Sequence, residues 1–434
     1  MTAQNAQTAR RVAYLNARLL DPASGLDTPG ALLTEGPSIA DLGPGLFRDG
    51  VPEGIETMDC AGACLAPGLI DMRVQLREPG EEHKETIQTA SMAAAWGGVT
   101  SMVALPNTDP IVDDVASVEY IARRAREIKQ VKVYTYAAIT RRLEGQEITE
   151  MGLLRNYGAL GFTDGLKAVA HAGVMRRALS YSRTVGAVIL QHPEKPTLAT
   201  GVMNSGELAT RLGLSGIAPH AETIMVERDL RLVEMTGGRY HAAHLSTAAA
   251  IEAMRQGKAR GLPVTCDTAP HYFTLSEDAV GDYRTFAKVS PPLRGEVDRL
   301  AVAEAVADGT IDAIASDHAP HDQDSKRLPF GLAEPGIAGL ETLLPLSLAL
   351  VHQGKLSLLD LLAKLTLGPA RLLGLPSGLS KGLPADLTIF DPDRAWRIDP
   401  DSFCSKSKNS PFEDYEVRGK VLRTVVDGRT IFAV

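Results

Sequence analysis

Between about residues 68 and 384, short apolar runs alternate with helix-length segments, and this alternation admits few folds. Strand candidates lie at 68–74, 100–105, 131–137, 160–162, 187–191, 240–244, 264–267 and 311–316. Helix candidates include 86–96, 115–129, 172–185, 247–258 and 299–307. Such a series predicts an α/β fold, a (β/α)8 barrel whose chemistry gathers at the C-terminal ends of the strands. An open doubly wound sheet is the alternative, but no glycine-rich phosphate fingerprint follows the first strand candidate. Residues 1–67 and 385–434 carry short strand-like runs broken by turns. Neither end has enough strands to stand alone, so the two together predict one small β-sandwich domain beside a barrel domain at 68–384.

The composition is that of a globular protein, with 44% hydrophobic and 23% charged residues. A net charge of -8 without a basic cluster excludes a nonspecific nucleic-acid groove. Cys60, Cys64, Cys266 and Cys404 are too dispersed for a disulfide framework and read as thiols of a reducing compartment. No leader pattern opens the chain, and no uncharged apolar run reaches the roughly 20 residues that span a bilayer. The expectation is a cytoplasmic protein with no membrane partner.

Polar residues collect where the strands end: Arg73, Gln75, Asn107, Asp164, His192, His244, His271, Asp317, His318 and His321. Arg73 and Gln75 are two apart on a strand and share a face, which places both at the barrel mouth if Val74 faces the helices. A guanidinium there is costly unless paired. Asp317 is its natural partner, with Asp71 or Asp164 as alternatives and solvent exposure as a third. His192, His244 and Asp317 are suitable zinc ligands, although a histidine at a strand end is more often a hydrogen-bonded structural residue. A permanent cation at Arg73 opposes a divalent ion beside it. Arg77 could clamp a small carboxylate with Asn107 and His321, or pair locally with Glu78 or Glu81. Gly97-Gly98 and Gly237-Gly238 read as helix ends.

An ordered set of motifs resembles the dihydroorotase branch of the amidohydrolase superfamily over nearly the full length. It runs through Pro67-Gly68-Leu69-Ile70-Asp71, Leu76-Arg77-Glu78-Pro79-Gly80, Gly97-Gly98-Val99-Thr100 and Leu105-Pro106-Asn107-Thr108. It continues with Gln191-His192-Pro193-Glu194, His244-Leu245-Ser246-Thr247 and Pro291-Pro292-Leu293-Arg294. The run 316–321, Gly339-Leu340-Glu341-Thr342 and 407–412 complete it. The resemblance implies a metal-activated hydroxide attacking a cyclic amide, with Asp317 shuttling the proton. It places metal ligands at His192, His244 and Asp317, a further carboxylate at Asp164, and substrate-carboxylate contacts at Arg77, Asn107 and His321. Related hydantoinases share the scaffold.

Several positions depart from that pattern. Arg73 and Gln75 replace the family's His-x-His pair, and Phe162-Thr163-Asp164-Gly165 keeps one carboxylate of two. Ser290 precedes Pro291 where asparagine is usual, and Gly368-Pro369-Ala370 replaces Asn-Pro-Ala. The expectation drawn from them is a catalytically inactive dihydroorotase-like protein. It would act without a cofactor, as a structural or regulatory partner of aspartate carbamoyltransferase in pyrimidine biosynthesis, in a homo- or hetero-oligomer. The alternative is an active zinc-dependent dihydroorotase, or related cyclic amidohydrolase, with Asp317 as the catalytic residue. A third reading is a ligand-binding protein that keeps Arg77, Asn107 and His321 without turnover.

Overall fold

The computed structural model describes residues 10–434, so residues 1–9 of the expected amino-terminal β segment lie outside the described residues. Strand Leu69–Val74 pairs in parallel with Val99–Ala104, which pairs with Lys132–Thr135. Phe162 then bridges Ala137 on one side and Ile189 on the other. Val188–Gln191, Arg239–Ala242, Val264–Thr268 and Ala313–Ile314 continue the parallel series. A bridge between Val74 and His318 closes the ring. The barrel expected from the alternation is therefore present, although its fourth strand shrinks to one bridging residue.

Local sequence chemistry starts the helices. Thr86 and Thr89 form a reciprocal capping box ahead of Ile87–Trp96, while Asp114 and Thr247 cap Val115–Ile128 and Ala248–Ala259. The longest helix, His220–Thr236, was not among the candidates. It begins without a side-chain cap, and buried Glu222 and Asp229 interrupt its apolar face. That face therefore lacks the clean period that marks a helix in sequence. Among the described residues, no helix is long and apolar enough to cross a membrane.

Both chain ends contribute to one sheet. Arg429–Ala433, Glu416–Val426, Leu387–Arg397, Cys64–Pro67, Arg11–Asp21, Leu26–Glu35 and Ser38–Gly43 are neighbours in that order. Cys64–Pro67 leads directly into the first barrel strand through Gly68. A Cβ at Gly68 would lie 2.1 Å from Thr100 Oγ1, so only glycine allows this close passage. Lys420 Nζ lies over the rings of Trp96 and Trp396, 3.7 and 4.2 Å from their centroids, and ties the sheet to the first barrel helix.

Candidate active site

Val74 is fully buried in the main hydrophobic core, which turns Arg73 and Gln75 together toward the barrel mouth. Both are only 3% exposed. Arg73 Nε donates to Asp317 Oδ1 at 2.9 Å, the pairing expected from the strand positions. Asp71 instead accepts the backbone N–H of Arg73, and Asp164 makes no contact with the guanidinium. Arg73 Nη2 reaches Gly165 O at 3.4 Å, and Asn107 Nδ2 donates to Gln75 Oε1 at 3.1 Å. A Cβ added at Gly165, whose φ is +66°, would meet Asn107 at 3.4 Å. The three departures from the family pattern thus interlock in one cradle.

Asp164 is turned away from the other candidate ligands, whereas the His192 and His244 rings lie 5.5 Å apart, centroid to centroid. Asp164 Oδ1 accepts from Thr140 N and Oδ2 from Thr140 Oγ1, so its carboxylate caps a neighbouring loop. His192 Nε2 lies 3.4 Å from both Glu194 and Ser290 Oγ. His244 Nδ1 is 3.7 Å from Asp317 Oδ1, and neither of its ring nitrogens has a hydrogen-bond partner. Among the described residues, no group of three or more His, Cys, Asp or Glu side chains converges on a common point. The zinc implied by the resemblance does not fit this donor set, because its anionic partner is already neutralised by Arg73.

Burial sets the electrostatics. It pushes the Asp317 carboxyl up to about 7, although Arg73 pulls in the opposite direction. Burial, reinforced by Arg73, drives His244 well below the usual imidazole range, and burial alone lowers His271 to about 3. His244 and His271 are therefore neutral imidazoles at physiological pH. Arg77, His244 and Asp317 all have left-handed backbone, with φ of 60°, 37° and 51°. Strain at strand ends of this kind is characteristic of functional sites.

Arg77 and His321 meet at the mouth, with Arg77 Nη2 3.1 Å from His321 Nε2. Arg77 also donates to Glu81 and to Pro320 O, so the local Glu81 pairing is realised. Glu78 instead receives the first helical N–H at Ile87 and binds Arg124. Three contacts leave two of the five guanidinium N–H groups of Arg77 for a ligand. Asn107 reaches the same mouth through Gln75. A cavity of about 870 Å³, lined in part by Lys167, His171, Arg177 and Glu194, reaches the site at His192.

Residue patterns alone assigned no role to the buried network behind His192. Arg294 donates to Ser246 Oγ, Asn204 Oδ1 and Ile217 O, and lies 4.0 Å from Glu194. Glu222 accepts from the backbone and hydroxyls of Ser246 and Thr247. A charged Arg294 closing the apolar Pro291-Pro292-Leu293 run was the available signal. Glu222 had none, because its helix was not recognised.

A closed parallel barrel with a polar mouth, carrying a sheet built from both chain ends, defines a protein of the amidohydrolase fold. Solved structures agree. An L-hydantoinase (dihydropyrimidinase) from Arthrobacter aurescens superposes with a TM-score of 0.85 at 25% identity, over 97% of this chain and 96% of that one. A dihydropyrimidinase from Brevibacillus agri gives 0.81 at 21% identity, over 98% and 95%, and shows the fold alone. The "Dihydro-orotase-like" family model matches residues 62–250. A dihydroorotase of Wolbachia (subsp. Brugia malayi) is 48% identical over 98% of this chain and 96% of its own length. A dihydroorotase of Desulforapulum autotrophicum is 47% identical over 97% and 99%. The chain belongs to the dihydroorotase family.

These relatives overturn the expectation of an inactive partner of aspartate carbamoyltransferase. Proteins named as the enzyme match this chain over essentially its whole length at nearly half identity. The expectation equated lost metal ligands with lost electrostatic stabilisation. A buried, fixed guanidinium is itself a preorganised cation, so that equation does not hold.

Proposed function

We propose that this chain hydrolyses the ring amide of dihydroorotate to carbamoyl aspartate. The observation that carries this reading is the full-length similarity to proteins named dihydroorotase. The arrangement of the barrel mouth supports it. Arg77, Asn107 and His321 hold the ligand carboxylate and orient the ring, a contact that a hydantoin or dihydrouracil lacking that carboxylate cannot make. Arg73, paired through Nε to Asp317, offers its remaining N–H groups to the amide carbonyl and to the oxyanion formed on attack. Asp317 Oδ1 is held by Arg73, which leaves Oδ2 to accept a proton from the attacking water. That proton passes to the ring nitrogen as the C–N bond breaks. No step passes through zinc.

Ring opening by the purified chain tests the proposal. Asp317→Asn lowers kcat by roughly 10²–10⁴-fold, the usual contribution of a positioned base. Arg77→Ala raises KM. The reaction needs Asp317 ionised, so the rate rises with pH through about 7. A folded native protein that neither opens dihydroorotate nor closes carbamoyl aspartate above background rejects the proposal.

A further inference from the structure

We infer that the barrel mouth operates without a divalent metal, and that Arg73 is the resident cation in the seat where the family's fold would carry one. The inference rests on the dihydroorotase reading for its substrate, but its geometry stands independently.

Four observations converge on it. Arg73 is buried and bound to Asp317 at 2.9 Å, so the late carboxylate already has a positive partner. A divalent ion at that carboxylate would face a permanent cation in a poorly screened interior, where like charges a few ångströms apart repel by several kcal/mol. Gln75 presents an amide whose oxygen is held by Asn107, and amide oxygen is a poor zinc donor beside imidazole or thiolate. The single carboxylate of the Asp164-Gly165 stretch is fully used by Thr140, and Gly165 supplies a carbonyl to Arg73 instead of a second acid. Finally, the substituted positions are engaged locally: Arg73 bonds the Gly165 carbonyl, and Gln75 accepts from the retained Asn107, which a Cβ on Gly165 would touch at 3.4 Å. A site that had merely lost a ligand would leave its remaining donors facing a common point. Here both carboxylates and the Gln75 amide have other partners, only the imidazoles of His192 and His244 keep unpaired nitrogens, and the charge at the centre is supplied covalently by the chain.

The decisive measurement is metal content of the native chain, by mass spectrometry after purification without chelator, joined to calorimetric titration with zinc. The expected result is no stoichiometric zinc, no saturable uptake, and unchanged dihydroorotate turnover after exhaustive chelation. The double substitution Arg73→His with Gln75→His is expected to restore zinc uptake to at least one equivalent, because it frees Asp317 and adds two imidazoles. Should that variant fail to fold, the native titration decides alone. Stoichiometric zinc in the native chain overturns the inference whatever its turnover. A native chain that takes up no zinc and also leaves dihydroorotate untouched overturns the functional proposal while the metal-free centre stands.

Discussion

Replacing Arg73 by methionine keeps an unbranched apolar stem and removes the charged head. The native pair is almost fully buried, with side-chain exposures of 3% and 8% at 2.9 Å. Removing one partner of such a pair usually costs about 3–5 kcal/mol, because the remaining charge is stranded. Here the cost depends on pH. Asp317 titrates near 7 in the folded protein, against about 3.9 in an unfolded chain, so the folded state holds the extra proton between those values. Stability contributed by this group therefore falls as pH rises toward the folded value. Methionine removes the only lowering influence exerted by a cation, and the folded value moves higher still. Below about pH 6 the carboxyl is protonated in both proteins and the penalty is small. Above 7 the penalty grows by up to about 1.4 kcal/mol per pH unit, toward the 3–5 kcal/mol limit. Urea denaturation of both proteins between about pH 6 and 9 measures the difference. Arg73→Met combined with Asp317→Leu should recover most of the loss, since replacing both ions with apolar groups is often neutral. A penalty that stays constant across this range refutes the buried pair.

Two further substitutions test the packing that positions the site. A Cβ on Gly368 would lie 2.2 Å from Asp312 O, so Gly368→Ala should cost about 1–3 kcal/mol, seen as a lowered melting temperature in calorimetry. Lys420→Ala removes the cation over Trp96 and Trp396, which are the chain's only tryptophans. It should cost about 1–2 kcal/mol and alter tryptophan emission, and an unchanged spectrum would contradict the cation–ring contacts.

Much of the barrel was legible because its strands are apolar runs separated by capped helices. The strand at 160–162 was found in place yet reduced to Phe162, because Gly161 lies close against Val188 and Leu190 and the chain then turns away to set Asp164 on Thr140. The Arg73–Asp317 pair was also legible, since a two-residue offset on one strand and a carboxylate at another strand end leave few alternatives. The buried residues behind His192 were not. Glu222 reaches the Ser246-Thr247 turn from a helix whose apolar face is broken by acidic residues, and no local pattern announces that contact. Gly368 was noted as a departure from the family, but its reason, a close approach to Asp312 O, lies 56 residues away in sequence and appears only in three dimensions. Activity was misjudged for a different reason. Charge at residue 73 was counted as an obstacle to one chemistry, without weighing what a fixed guanidinium can itself stabilise.

A crystal structure of the chain with dihydroorotate bound addresses the site and its resident cation together. The account predicts the ligand carboxylate within hydrogen-bonding distance of Arg77 and the ring carbonyl turned toward Arg73, with the bond from Arg73 to Asp317 intact. Density for divalent ions in the barrel mouth with Arg73 swung aside, or dihydroorotate seated away from Arg77, would contradict it.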